Sequence, residues 1–250
     1  MLLGLLLLTR WWWPANAVLA RYDFLFLGAL GIQAFLLLLR METIREAEII
    51  FIFHAIGTAM EFYKTQIGSW TYPEPCLFHV GHVPLFSGFM YASIGSYIAR
   101  ITRILDMRYA RHPGRGLMIV LAVMIYINFY TDHFAPDIRG FLFLLAGAAF
   151  GPTWVYYRPY RQWRRMPLLL GFGLIAFFIW LAGNIGTFAI VWRYPNQIGG
   201  WQLVHFAKYG SWYLLMIISF ILVSFIHPPR LPSRAATAAE GEPPAEGEPA

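Results

Sequence analysis

The chain has 250 residues, of which 58% are hydrophobic, 18% aromatic and only 13% charged. Soluble domains carry about 25% charged residues, so this composition excludes a soluble globular protein and indicates an integral membrane protein. The net charge of +6 indicates basic loops on one side of a membrane rather than nucleic-acid binding. The single cysteine, Cys76, excludes an internal disulfide and a cysteine-based metal site.

Long uncharged segments, taken in chain order, predict eight membrane-spanning helices. A helix needs about 20 mainly apolar residues to cross a bilayer, and the polar flanks of the shorter segments supply the missing turn. We therefore predict an all-α, polytopic bundle over residues 1–229 and a disordered Ala/Glu/Gly/Pro tail over residues 230–250. The predicted spans are Leu2–Ala20, Phe24–Leu39, Ile49–Met60, Val83–Ala99, Gly116–Thr131, Gly140–Tyr157, Met166–Trp192 and Tyr209–Ile226.

Two patterns set the expected orientation of these helices. The first apolar run is followed by Arg10 and three tryptophans, which is typical of a helix with an interface anchor rather than a cleaved leader. If each helix crosses once and the Arg40–Arg45 loop is cytoplasmic, every arginine cluster falls in a cytoplasmic loop. Because cytoplasmic loops retain Lys and Arg, we predict that both termini are cytoplasmic.

The third predicted helix carries a polar face on the side of Glu61. His54, Thr58 and Glu61 follow the spacing i, i+4, i+7 and therefore share one face. Gly57 also lies there and permits the close approach of another helix. Lys64 follows Glu61 by three residues, so the two can pair. Glu61 is then either half of a structural ion pair or a buried carboxylate used for proton transfer or ligand binding.

A second polar cluster, Asp132, His133, Asp137 and Arg139, follows the fifth predicted helix. Asp and His bind metals, and a carboxylate often orients a metal-ligating His. However, no tight ligand spacing such as HExxH occurs, so a hydrogen-bonded salt-bridge cluster is favoured over a metal site, and any metal or cofactor stays undetermined. Further ionisable residues expected on the same side are Glu74, His79, His82, His205 and Lys208.

An internal repeat links two of the predicted outer loops. Glu61 precedes Trp70, Tyr72 and a proline by the same spacing with which Gly183 precedes Trp192, Tyr194 and a proline. The two parent helices, the third and seventh, are predicted to cross in the same direction, which gives a parallel repeat about an axis along the membrane normal. A four-plus-four arrangement would follow, with the two Trp-x-Tyr-Pro loops facing one another over a central cavity, and the carboxylate occurs in one copy only.

Several of these segments resemble a known family. FHAIGTAMEFYKTQIGSWTYPEP, IYINFYTDHF and KYGSWYLLMIISFILV resemble the YoaT-like family of bacterial integral membrane proteins, described as domain of unknown function 817. The resemblance runs from about Ala20 to Pro229 and implies a multi-pass protein of the bacterial inner (cytoplasmic) membrane, without implying an activity. A weaker likeness to membrane carotenoid cyclases and hydratases covers only the Glu61–Pro84 stretch.

Our leading hypothesis is a membrane enzyme or binder that acts on a lipid-like or polyprenoid ligand in the bilayer. Glu61 would be the acid/base, and His54, Asp132 and His133 would orient it or relay protons. The alternatives are a small-solute or proton-coupled transporter and a non-catalytic assembly protein; the oligomeric state is left open. The predicted substrate-binding residues are Lys64, Trp70, Tyr72, Asp137, Arg139, Trp192, Tyr194, His205 and Lys208.

Overall fold

The computed structural model describes residues 1–14, 16–233 and 236. Over these residues the chain forms eight α-helices, one within or overlapping each predicted span, so the predicted number of helices is confirmed. The predicted disorder of the tail concerns mainly residues 234, 235 and 237–250, which lie outside the described part of the chain. The helices are α1 Leu2–Trp12, α2 Arg21–Leu38, α3 Ile44–Gln66, α4 Phe86–Ile104, α5 Arg115–Thr131, α6 Arg139–Phe150, α7 Leu168–Phe188 and α8 Ala207–Ile226.

The purely helical prediction is wrong in detail, because the loops form two small antiparallel sheets. One is a hairpin, and the other has three strands in the order β3-β4-β5. The predicted span Gly140–Tyr157 is divided: α6 ends at Phe150, just before Pro152, which cannot continue a helix. The aromatic and β-branched run that follows suits a strand. The strands are β1 His79–Val80, β2 Val83–Pro84, β3 Arg108–Ala110, β4 Trp154–Tyr157 and β5 Arg164–Pro167.

Three helices are long and apolar enough to cross a membrane: α2, α7 and α8. Three more are apolar but shorter, since α1, α5 and α6 have 11, 17 and 12 residues. At 1.5 Å per residue, 12 residues reach only about 18 Å of a hydrocarbon core that is about 30 Å thick. The eight-span topology therefore stays a prediction.

The chain divides into two compact units. The first comprises Met1–Ser96 and Phe178–Tyr209, and its helix α3 begins with a capping box. The Thr43 hydroxyl accepts from the Glu46 backbone N–H at 3.3 Å, while the Glu46 carboxylate accepts from the Thr43 N–H at 2.7 Å. The largest fully buried side chains of this unit are Leu6, Tyr22, Leu25, Ile49, Met60 and Phe86.

The second unit comprises Tyr97–Phe177 and Gly210–Ala250. Its core contains an aromatic cluster in which Phe172 lies 5.4 Å from Phe150 and 5.1 Å from Phe220, measured between ring centroids. Such edge-to-face and tilted contacts add stabilisation beyond the buried area. The three-stranded sheet belongs to this unit as well.

Candidate functional site

The most distinctive buried group of the first unit is the Glu61 carboxyl, near the end of α3. Glu61 is 3% exposed. Its Oε2 accepts from the Trp70 indole N–H at 2.6 Å and from the Tyr72 hydroxyl at 2.8 Å, and its Oε1 accepts from the Tyr91 hydroxyl at 2.8 Å. Three aromatic donors therefore replace the water that a carboxyl loses on burial.

Local chain geometry brings these donors to Glu61. Trp70 and Tyr72 lie in the loop that begins just after α3, where Gly68 adopts a positive φ of 73° that glycine tolerates without strain. Tyr91 comes from α4, which can approach α3 closely because a Cβ at Gly57 would lie 2.6 Å from the Tyr91 ring. The small residue predicted to admit a neighbouring helix thus positions the third donor.

The Tyr72 hydroxyl stays protonated and acts as a donor. Burial, followed by repulsion from Glu61 and Tyr91, raises the pKa of Tyr72 well above its ordinary value. Its ring also packs edge-on against Tyr22 and Phe86, with centroids 6.1 Å away in each case. A neutral phenol packed between these rings therefore donates to the carboxyl from this side of the site.

The rest of the predicted polar face of α3 packs against α4. The His54 Nδ1 and Thr58 Oγ1 atoms are buried, and each would lie 2.5 Å from a Cβ placed at Gly88. The His54 ring packs on Phe89 at 4.5 Å between centroids. Lys64 is 3% exposed, and its ammonium lies 6.0 Å from the centre of the Tyr63 ring. The Glu61–Lys64 ion pair stays a prediction.

The two Trp-x-Tyr loops meet within the first unit. Thr71 and Arg193, the central residues of the two motifs, form an antiparallel bridge with both N–H···O bonds at 2.9 Å. The Trp70 ring packs edge-on against Tyr194 at 6.2 Å. The two loops therefore meet as predicted, but by a direct backbone bridge, and the predicted central cavity and four-plus-four repeat stay predictions.

The second copy of the motif has packing in place of a carboxyl. The Trp192 ring covers Gly186, where an added Cβ would lie 2.1 Å from the ring. Burial raises the pKa of the Tyr194 hydroxyl, and a hydrogen bond with Trp192 opposes that shift less strongly. The Lys208 ammonium lies 5.0 Å from the centre of the Tyr194 ring. The site is therefore asymmetric, as the missing acidic residue at Gly183 predicts.

Comparison with known proteins shows the family to which the chain belongs. The model of the family described as protein of unknown function, DUF817, matches residues 1–220. The chain is also 45% identical over 206 residues to the uncharacterized protein YoaT of Bacillus subtilis (strain 168), covering 82% of this chain and 78% of that protein. The chain belongs to the DUF817 family. No solved structure matches the chain.

A clamp that sequence reasoning missed holds the loops of this DUF817 protein together. At the start of α2, the fully buried Asp23 accepts from the backbone N–H groups of Leu77 and Phe78 at 2.9–3.0 Å. The Tyr22 hydroxyl donates to the carbonyl of Val191 at 2.7 Å. One helix start thus fixes the loop after α3 and the loop after α7. The RYD sequence at the start of an apolar run was the available signal.

Arg21 completes this clamp. Its guanidinium donates to the carbonyl of Ala189 at 3.0 Å, and its Nε lies 3.3 Å from the Glu74 carboxylate. Burial raises the pKa of Glu74, while the nearby Arg21 and, to a smaller extent, Arg10 and Arg193 oppose that shift. Asp23, Tyr22 and Arg21 are positioning residues, since they hold the loops that carry the donors to Glu61.

The other predicted site residues of the DUF817 protein lie elsewhere. His205 is exposed, and its Nδ1 accepts from the Ala207 backbone N–H at 3.1 Å at the start of α8. Asp132 and His133 belong to the second unit, where they form a half-exposed pair at 3.3 Å. Glu61 belongs to the first unit, so their gathering with it stays a prediction.

Asp137 and Arg139 fasten the loop before α6 in the second unit. The Arg139 backbone N–H donates to Asp137 at 3.0 Å, and its guanidinium pairs with the same carboxylate at 2.5 Å and donates to Ser211 at 2.9 Å. Although burial opposes it, these bonds and one from Asn128 hold the pKa of Asp137 below its ordinary value. The Arg139–Asp137 pair supports the salt-bridge interpretation of this cluster. Among the described residues, no three His, Cys, Asp or Glu side chains gather as metal ligands.

Proposed function

We propose that this DUF817 protein is a membrane enzyme or binder of an apolar, lipid-like or polyprenoid ligand. Its Glu61 carboxyl would donate a proton to the ligand or accept one from it. The observation that carries the proposal is the burial of Glu61 against three aromatic donors beside the paired loops. Carboxylic acids held in apolar surroundings are typical general acids and bases.

The site has the chemical capacity for this role. A carboxylate offers about four lone-pair sites, and Trp70, Tyr72 and Tyr91 occupy three of them. Among the described side chains, Tyr91 donates to Oε1 while two donors share Oε2, so Oε1 is the oxygen proposed to exchange a proton with a ligand. The rings of Trp70 and Tyr194 beside it offer faces on which positive charge developing in a polyprenoid chain is stabilised.

The proposed setting is the bacterial inner membrane, with eight spans and both termini in the cytoplasm. Its support is the three helices that are long and apolar enough to span and the collection of arginines in alternate loops of the eight-helix scheme. Glu61 would then lie near the outer leaflet, where an apolar ligand reaches it from the bilayer.

The test compares Glu61→Gln with Glu48→Gln, because Glu48 is an exposed glutamate on the same helix. Lipid and polyprenoid extracts of cells that produce wild type, either variant or no protein are compared by mass spectrometry. Relative to the strain without the protein, we expect the amount of at least one lipid or polyprenoid species to change in cells that produce wild type or Glu48→Gln. In cells that produce Glu61→Gln, the amount of that species should not change. Identical extracts from all four strains would contradict it.

A proton-coupled transporter is the second candidate, and the repeat favours it. The bridge between Thr71 and Arg193 joins equivalent residues of the two Trp-x-Tyr-Pro motifs, and the predicted parallel repeat is an organisation that many transporters use around a central site. Proteoliposome flux separates the candidates, because a transporter moves a solute without changing it chemically. In the third candidate, a non-catalytic assembly protein, Glu61→Gln would alter neither flux nor extracts.

A further inference from the structure

The three-stranded sheet of the second unit carries arginine and tryptophan side chains on one face. Its register places Arg108 opposite Tyr156, and Tyr156 opposite Arg165. Residues directly opposite one another in antiparallel strands point to the same face, as do residues two apart along a strand. Arg108, Trp154 and Arg165 therefore share a face. Trp163 contacts Arg108, and Arg158 contacts Trp163. We call these five residues the arginine–tryptophan face: Arg108, Trp154, Arg158, Trp163 and Arg165.

Cation–π contacts organise this face. The guanidinium groups of Arg108 and Arg158 lie 5.7 and 5.3 Å from the centre of the Trp163 ring, and that of Arg165 lies 4.8 Å from Trp154. The Asp106 carboxylate lies 3.4 Å from Arg108 and 3.8 Å from Arg158. The side chains of this cluster carry three positive charges and one negative charge, and the Arg158 side chain is 47% exposed.

The sheet is joined directly to the ends of two candidate spans. Strand β5 ends at Pro167, and the candidate span α7 begins at Leu168. The candidate span α8 ends at Ile226, and shortly beyond it the Arg230 carbonyl accepts from the Tyr109 N–H of β3 at 2.7 Å. With no linker between sheet and span, the sheet would lie at the depth of the lipid headgroups.

We propose that the arginine–tryptophan face binds the phosphate group of anionic phospholipids. The planar guanidinium fork matches phosphate oxygens in a bidentate manner. Tryptophan is enriched at the membrane–water interface, and basic residues close to the surface attract anionic lipids. This site is separate from the Glu61 carboxyl, so neither proposal depends on the other.

The experiment uses the full-length protein in a neutral detergent, titrated with phosphatidylglycerol or phosphatidylcholine and measured by native mass spectrometry. Wild type is expected to bind phosphatidylglycerol more tightly. At about fivefold per basic residue near the surface, the triple variant R108Q/R158Q/R165Q should lose affinity by on the order of a hundredfold. The matched control R40Q/R45Q/R115Q removes the same charge at exposed positions outside the sheet and should lose clearly less affinity than the triple variant.

Two further measurements keep the outcome decisive. R108K/R158K/R165K keeps the charge but loses the fork, so it should bind more weakly than wild type even if circular dichroism finds the glutamine variant unfolded. Excess inorganic phosphate should leave phosphatidylglycerol bound, because the acyl chains hold the lipid in place. Equal binding of the two lipids, equal loss in the control, lysine-variant affinity at the wild-type level, or displacement by phosphate would each overturn the proposal.

Discussion

Replacing Glu61 by leucine and by glutamine should have very different effects on the free energy of unfolding. Leucine removes the buried acceptor of three half-buried donors, on Trp70, Tyr72 and Tyr91. Each unsatisfied buried group costs about 1–3 kcal/mol, so Glu61→Leu should destabilise the protein by roughly 3–9 kcal/mol. For a chain of 150–250 residues, each kcal/mol lowers Tm by about 2–4 °C.

Glutamine can satisfy nearly the whole network. Its carbonyl can take the place of Oε2, which accepts from Trp70 and Tyr72, and its amide can donate to the Tyr91 hydroxyl, which both donates and accepts. We expect a cost of only about 1 kcal/mol, the net value of a typical hydrogen bond. This variant therefore tests function in a folded protein.

The assay is unfolding in mild detergent, followed by intrinsic fluorescence, for wild type and both variants. Glu48→Leu is the control, because it removes an exposed carboxylate of the same helix and should stay within about 0.5 kcal/mol of wild type. If Glu61→Leu unfolds at the wild-type temperature, the carboxyl does not hold the three donors, and the reasoning is refuted.

Three further predictions concern the surroundings of the site. Gly186→Ala drives a methyl group into the Trp192 ring and should lower the free energy of unfolding by about 1–3 kcal/mol. Gly147→Ala has open space around the new methyl group and should be neutral or stabilising by up to about 1 kcal/mol. Thermal unfolding compares the two variants. Asp23→Ala removes the acceptor of two backbone N–H groups and should cost about 1.5–3 kcal/mol, the value of hydrogen bonds to a charged group. The loop after α3 should then be proteolysed faster, and unchanged proteolysis would argue against the clamp. The lowered pKa of Asp137 means that its carboxylate contributes stability above its ordinary pKa of 3.8, which is lost as the pH falls through the lower folded-state value. Asp137→Asn should flatten the acid side of a Tm–pH curve, and a curve unchanged from wild type would contradict this.

The helices could be predicted from the sequence because their apolar runs are long and bounded by charges or prolines. The positions of the helix ends were predicted less accurately. Hydropathy cannot distinguish the last turns of α6 from strand β4, since Trp154–Tyr157 is as apolar as the helix before it. The turn between them depends on Pro152 and on pairing with β3 and β5, and pairing between distant segments leaves no periodic signal in either one.

Part of the candidate site could be predicted from the sequence. Glu61, Trp70 and Tyr72 are close in the chain, so helix periodicity and one short loop were enough to associate them. Tyr91 lies 30 residues away, and it looks like any other aromatic residue of an apolar helix. Only its position across from Gly57 distinguishes it. The backbone acceptors of the clamp at Arg21 and Tyr22 carry no side-chain signature, which is why sequence reasoning missed them.

The most direct test of the role of Glu61 is mass spectrometry of whatever apolar molecule stays bound to the purified protein. Wild type and Glu48→Gln are expected to retain the same lipid-like or polyprenoid species, while Glu61→Gln, folded to the same extent, should lose it or retain a chemically different form. The same bound species in equal amount on all three proteins would contradict a role for this carboxyl in binding or chemistry.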